Sequence, residues 1–457
     1  MMKRLIHKLK ILIFVILLSV SMNMTGILQS IRITGGKAAF LILMALLFFL
    51  YANVSPISLH PENAKTCGKR LKQLDKGCGL ILYMALTTIV SVAWMLWLAH
   101  YLTFDSTGKI VYYILSIILC LCGEGILLWN GSMRLMATSV QMGIRYRVLL
   151  LLCWWMPIVN LYLFGKLYIL ARQEYETELE KEELDAVRKE SELCHTNYPI
   201  LMVHGVFFRD IRFFNYWGRI PKELMRNGAI IYYGNQQSAA SVEVCGQELA
   251  DRIKQIVSET GCGKVNVIAH SKGGLDMRCA ISQFGAAEYV ASLTTINTPH
   301  RGCLFADYLL GKAPESLRRF LAERYNRALR KLGDASPDFL GAVTDLTAAR
   351  CEERNRMLSD SGQVYYQSVA TSMKKARSGR FPLNMTYHLV RYFDGENDGL
   401  VSIESALWGN VYRIVRGNGK RGVSHGDMID LNRENFKEFD VREFYVNLVA
   451  DLKKNNF

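Results

Sequence analysis

At 457 residues the chain is long enough for more than one domain, and half of it is hydrophobic, with that content concentrated in the first third. A formal charge of +14 suits an anionic membrane surface as well as nucleic acid, but no nucleic-acid-binding motif accompanies it, so we read a membrane region followed by a globular one and no nucleic-acid partner. The 11 cysteines lack both the paired spacing of a zinc site and the density of a disulfide scaffold; they read as buried thiols and leave the redox compartment open.

Taken in order, Ile11 to Leu28, Ala38 to Val54, Gly79 to Ala99, Ile110 to Leu128 and Val148 to Leu170 are apolar runs near the ~20 residues that cross a bilayer. They predict an α-helical membrane region of about five spans over residues 1–171. Lys3, Arg4, Lys8 and Lys10 before the first run suit a signal peptide, but no small-residue cleavage site follows, which favours an uncleaved span. Basic residues cluster at the N-terminus, in Lys65 to Lys76 and at Arg134, Arg145 and Arg147, whereas the alternate loops hold only Arg32, Lys37 and Lys109. With the basic loops cytoplasmic, an odd number of crossings in the cell membrane puts everything after Leu170 on the extracellular face; one span more or fewer reverses this. Glu124 reads as a hydrogen-bonded helix contact in preference to a polar pathway, and Trp154-Trp155 as an interfacial or packing pair. Residues 172–194, including the charged Gln173 to Glu192, have no continuous apolar stripe and read as a helical, solvated linker.

From Tyr198 short apolar runs alternate with helical patterns, so residues 195–457 are expected to form an α/β domain with a mostly parallel central sheet. Strands are predicted at Ile200 to Val203, Ala229 to Tyr233, Lys264 to Ala269, Val290 to Ile296, Val364 to Ala370 and His388 to Phe393, and helices at Val242 to Ser258 and Leu275 to Phe284. Ser271, in Ile268-Ala269-His270-Ser271-Lys272-Gly273-Gly274, falls on a strand-to-helix turn. Such a turn needs small neighbours, because a strained backbone must hold the serine oxygen out of the sheet and toward the helix's positive end. The same five-residue pattern also suits an ordinary corner. His204-Gly205-Val206-Phe207 at the end of the first strand could supply one oxyanion donor, the N–H of Val206, and Lys272 the other. An acid and a base must then follow. Asp398, with Asp394 as runner-up, and then His425 complete the order Ser, Asp, His, whereas His204, His270, His300 and His388 precede the acid and fit less well.

With Tyr198 to Gly205 (YPILMVHG), Asn297 to Gly302 (NTPHRG), Ser336 to Leu340 (SPDFL), Asn397 to Val401 (NDGLV) and the His-x-Asp of His425 and Asp427, the stretch from Tyr198 to about Asp430 resembles the Pseudomonas-type bacterial triacylglycerol lipases of the α/β-hydrolase superfamily. The resemblance implies Ser271 as nucleophile, Asp398 as triad acid, His425 as base, and Val206 and Lys272 as backbone donors to the oxyanion. It implies a lipid ester as substrate. Ala269 departs from the usual elbow glycine, as in some Bacillus-type lipases, and no cysteine near Ser402 to Ser405 matches the family's disulfide. Asp427 matches one calcium-binding aspartate of the family, but Phe381 to Tyr392 offers no convincing counterpart for the other; no cofactor is expected to be required, and calcium at Asp427 stays open.

Residues 306–334 form an insertion in which Leu317, Phe320, Leu321, Ala328 and Leu332 lie at helical spacing opposite Arg318, Arg319, Arg324, Arg327 and Arg330. This basic amphipathic helix either packs its apolar face on the core or acts as a lid that shifts from above Ser271 onto lipid; the resembling lipases carry a lid here. The chain thus reads as a membrane-anchored serine hydrolase cleaving carboxylic esters of lipids. An acyltransferase with the same triad, an inactive hydrolase domain and a transporter or receptor are the competing readings.

Overall fold

Uncharged runs of Leu, Ile and Phe give the N-terminal part long apolar helical stretches, and alternating strand and helix patterns give the remainder a sheet. In the computed structural model, which describes residues 2–60, 68–101, 107–153, 155–206, 215–331, 333–409 and 411–457, the chain divides into two units, Met1–Ala186 and Val187–Phe457. Lys65, Trp154, Phe207 and Leu332 lie outside the described residues.

In the first unit, four helices among the described residues are long and apolar enough to cross a membrane, within Leu5–Met22, Gly35–Val54, Lys69–Tyr101 and Thr107–Thr138. The fifth expected stretch, 148–170, is divided between the helices Ile144–Leu152 and Pro157–Arg188. Proline has no N–H to continue a helix and its fixed φ suits a first helical turn, so Pro157 starts a new one. Glu124 is buried and accepts a hydrogen bond from Thr87 Oγ1 at 3.0 Å, the helix-to-helix contact expected of it. Glu174, also buried, accepts from Arg70 Nη1 at 2.5 Å, Ser139 Oγ at 2.6 Å and the amides of Val140 and Gln141. Around it Leu163, Leu167, Ala171, Tyr175 and Leu179 pack with Leu71, Leu74, Cys78, Ile81 and Leu135.

In the second unit, β1 (Ile200–Val203), β2 (Ile231–Tyr233), β3 (Val265–His270), β4 (Val290–Ile296), β5 (Tyr365–Thr371) and β6 (Val411–Val415) form one sheet in the order β2-β1-β3-β4-β5-β6, with every pairing parallel. Strands β1, β3 and β4 are buried along their whole length, because a parallel sheet is covered by helices on both faces. Alternate residues serve the two layers. Ile200 and Met202 join Trp217, Tyr445 and Val449 on one side, while Leu201 and Val203 join Leu249, Ile253 and Met277 on the other. Ser241 caps the helix Val242–Thr260 by accepting from Val244 N, and Gly261, at φ +67°, ends it.

Five of the six predicted strands are present. The sixth expectation, His388 to Phe393, is corrected: these residues belong to the helix Leu383–Asp394, which buries Leu383, Tyr387 and Val390 at spacings of four and three. A six-residue apolar run does not distinguish the two periods. The sixth strand is instead β6, a half-exposed edge whose Arg413 pairs with Asp451 at 2.8 Å.

Candidate active site

Strand β3 leads straight into Ser271, whose φ of +55° and ψ of −132° a non-glycine residue adopts only under strain, at about 1–3 kcal/mol. The surroundings impose that conformation. Ser271 N donates to Ile296 O of β4 at 2.9 Å, and the helix Lys272–Gln283 begins at the next residue. A Cβ on Gly273 would stand 2.4 Å from His204 O, and one on Gly274 would stand 2.2 Å from Thr298 Oγ1. The glycine pair is therefore what lets the helix start lie against the loops after β1 and β4.

The candidate acid and base lie on two loops joined by backbone. His425 N donates to Asp398 O at 2.9 Å, and the side chains meet with Nδ1 2.7 Å from Asp398 Oδ2. Asp398 Oδ1 accepts the amides of Leu400 at 2.9 Å and Val401 at 2.8 Å. A carboxylate so placed only accepts, so in the neutral imidazole the Nδ1 proton would point to Asp398 and leave the lone pair on Nε2. The His425 ring lies 4.5 Å from the ring of His270, the residue before Ser271. Asp398 and His425 are thus brought together at the C-terminal ends of the strands, with His425 against the residue that precedes Ser271, and all three candidates are buried. Asp394, the runner-up, is elsewhere: its oxygens accept the amides of Leu304 and Phe305 at the start of the helix Leu304–Lys312.

Val206 follows Gly205, on which a Cβ would come within 2.8 Å of Ser271 Cβ, so the loop after β1 passes directly beside the serine. Lys272 sends its side chain away from the site, to Asp276 Oδ1 at 2.6 Å and Cys245 Sγ at 3.5 Å. Only its backbone is left for the site. Burial works against the Lys272 ammonium, but Asp276, Cys245 and Asp345 together outweigh it and raise its pKa; burial also pushes the Asp276 carboxyl up, against the pull of Lys272. Two further residues are not evident from the sequence. Tyr216 Oη is hydrogen-bonded to His270 Nδ1 at 2.7 Å, and burial holds the His270 pKa well below its ordinary value, so a neutral ring packs against His425. The position of His270 next to the serine was the available signal.

Asp427, which the resemblance assigned to calcium, does not fit a metal. Both its oxygens are taken by Arg421, with Nη1 at 2.7 Å and Nη2 at 3.0 Å, and Ser424 N donates to Oδ2 at 2.8 Å. Among the described residues no three His, Cys, Asp or Glu side chains could hold an ion together.

The inserted helix Glu315–Lys331 buries Ala322 and Leu329, and Leu329 packs with Ala239, Ala342 and Val206 at the rim of the site. Of the apolar face that the sequence left either packed on the core or free to act as a lid, Leu317, Phe320 and Leu321 are between 39% and 51% exposed, and Tyr325 beside them is exposed as well.

Residues 200–313, which hold Ser271 but neither Asp398 nor His425, match the family described as "Putative serine esterase (DUF676)". The chain is 36% identical over 180 residues to a triacylglycerol lipase of Pseudarthrobacter phenanthrenivorans, covering 36% of this chain and 56% of that protein. It is 30% identical over 262 residues to triacylglycerol lipase 2 of Saccharomyces cerevisiae, covering 53% of this chain and 74% of that one. The chain spans about half the length of the first two curated relatives it matches, 56% and 49%. Among solved structures, the lipase of Staphylococcus hyicus aligns with 18% identity and a TM-score of 0.43, over 57% of this chain and 97% of that chain.

Two stability outcomes follow from the turn. Gly274→Ala is expected to cost about 1–3 kcal/mol or more, as overpacking against Thr298 requires. Ser271→Gly is expected to melt above Ser271→Ala, because only glycine relaxes the positive φ. Thermal unfolding of the detergent-solubilised chain checks both; equal midpoints for the two Ser271 variants would contradict the strain.

Proposed function

Because the chain belongs to the lipase and esterase family of the α/β-hydrolases, we propose that it is a membrane-anchored serine hydrolase that cleaves carboxylic esters of lipids through an acyl-enzyme. The observation that carries this reading is the 2.7 Å contact of Asp398 with His425 Nδ1, the imidazole lying beside the strained turn of Ser271. In this mechanism Ser271 Oγ attacks the ester carbonyl as its proton passes to His425 Nε2. The amides of Val206 and Lys272 stabilise the oxyanion, and collapse of the intermediate expels the alcohol with that proton. Water, deprotonated in turn by His425, then releases the fatty acid and restores Ser271. Asp398 holds the imidazole in the required tautomer, and its two backbone donors hold Asp398.

Four apolar helices support membrane anchoring. With four crossings, the basic N-terminus, Lys69 to Lys76 and Arg134 to Arg147 share one side, and we place the catalytic domain there, on the cytoplasmic face. A fifth crossing would put it on the extracellular face, as the odd count of apolar runs implied. Against that crossing stands the break before Pro157 and the packing of Leu163 to Leu179 along the basic-flanked start of Lys69–Tyr101.

The exposed face of Glu315–Lys331 supports a lid that meets lipid. Phe320 and Leu321 lie beside Arg319, Arg324 and Arg327, and near an anionic bilayer each such cation contributes about 1 kcal/mol.

Ser271→Ala is expected to lower hydrolysis of a soluble p-nitrophenyl ester by roughly 10⁴-fold or more without unfolding the chain. Retention of most activity would overturn the serine mechanism.

Asp398→Asn should cost on the order of 10³–10⁴ in kcat, and Asp394→Asn far less, since Asp394 only caps a helix. The reverse ranking in steady-state rates would move the triad acid.

For the lid, Arg319, Arg324 and Arg327 replaced together by Gln should reduce rates on anionic proteoliposomes while leaving the soluble ester almost unaffected, and high salt should reproduce that loss. Paired rates across a salt series decide it; an equal loss on both substrates would make the helix a structural part only.

A further inference from the structure

The loop that carries His425 is held from below by a charge pair. Between Arg421 and Asp427 the chain doubles back, so that the guanidinium meets the carboxylate in a two-point contact at 2.7 and 3.0 Å. The same carboxylate accepts Ser424 N at 2.8 Å, and Ser424 Oγ accepts Asp427 N at 3.3 Å. Ser424 is joined directly to His425, so the pair fixes the peptide from which the imidazole projects.

Arg421 is itself fixed. Its guanidinium lies 4.0 Å from the centre of the Phe436 ring, Glu434 Oε2 stands 3.9 Å from Nη2, and its backbone N–H donates to Glu438 Oε2 at 3.0 Å. The next residue, Gly422, has a φ of +77°, and a Cβ there would come within 2.5 Å of Ser372 O just past β5, which pins the loop to the sheet. The Asp427 side chain is only 4% exposed, and a carboxylate so buried needs strong donors, which a paired cation supplies best. Arginine supplies one in the planar, two-point geometry that lysine lacks. A divalent ion at Asp427 would have to displace Arg421 or meet its charge.

We propose that Arg421 is a built-in cation that occupies the place of a bound metal beneath the His425 loop, positions His425 and makes the enzyme independent of calcium. Arg421 acts through Asp427 and Ser424, which makes it a positioning residue. The inference rests on the serine-hydrolase reading, and labelling of the wild-type chain by a fluorophosphonate tests that reading separately.

The test uses the full-length chain in detergent micelles with a soluble p-nitrophenyl ester. Wild-type rates are expected to be the same with a calcium chelator and with added calcium. Arg421→Ala should lose about 10- to 100-fold in kcat, the usual consequence of removing a group that orients a functional side chain, with KM changed less than about twofold. Guanidinium ion at millimolar concentration should restore part of that kcat, and Arg421→Lys, which keeps the charge without the fork, should fall between the two. Chelator inactivation of the wild type reversed by calcium would overturn the proposal. So would an alanine variant with wild-type kcat, or one whose loss guanidinium does not relieve. If the alanine chain does not fold, Arg421→Lys decides: a kcat equal to the wild type overturns the proposal, and an intermediate kcat supports it.

Discussion

The site depends on one sterically enforced turn. Ser271 adopts a backbone conformation that its own side chain disfavours, and it is kept there by β3 and β4 behind it and by the tight start of the following helix in front. Neither the contact with His204 O nor that with Thr298 leaves room for a Cβ at Gly273 or Gly274. About 1–3 kcal/mol of local strain is thus borne by a sheet whose central strands are buried throughout. Held this way, the serine needs no rearrangement of its own backbone to present its oxygen.

The other half of the site is built from loops, which have no sheet register to position them, and hydrogen bonds supply the precision instead. Asp398 is fixed by Leu400 and Val401, His425 by the side chain and carbonyl of Asp398, and the loop beyond by the Arg421–Asp427 pair. On the remaining side, the neutral His270 ring bonded to Tyr216 packs against His425 without placing a positive charge beside it. Asp398 and His270, the side chains observed against the imidazole, therefore each have a partner that sets their orientation.

Much of this was legible in the sequence, and the limits have physical causes. Continuous apolar strands leading into Gly205 and Ser271 mark a parallel sheet with a candidate site at the strands' C-terminal ends, and the proposed order Ser271, Asp398, His425 does not depend on knowing the loops. His388 to Phe393 was misread because a short apolar run carries no period, and β6 was missed because an edge strand with Arg413 at its centre lacks a core strand's composition. The inserted helix showed its amphipathic pattern, but pattern alone does not say which face a helix buries; Leu317 and Phe320 are exposed while Ala322 and Leu329 pack inward. The Arg421–Asp427 pair was hidden for another reason. A contact across six residues of glycine-containing loop follows from the path of the backbone, which composition does not specify.

The central claim, that Ser271 is the nucleophile of an ester-cleaving triad, is tested most directly by identifying the residue that becomes covalently modified. The wild-type chain in its membrane would be treated with a fluorophosphonate, digested, and its peptides sequenced by mass spectrometry. The account predicts a single phosphonyl adduct on Ser271, absent from Ser271→Ala and strongly reduced in Asp398→Asn. An adduct on another residue, or undiminished labelling of the alanine variant, would contradict it.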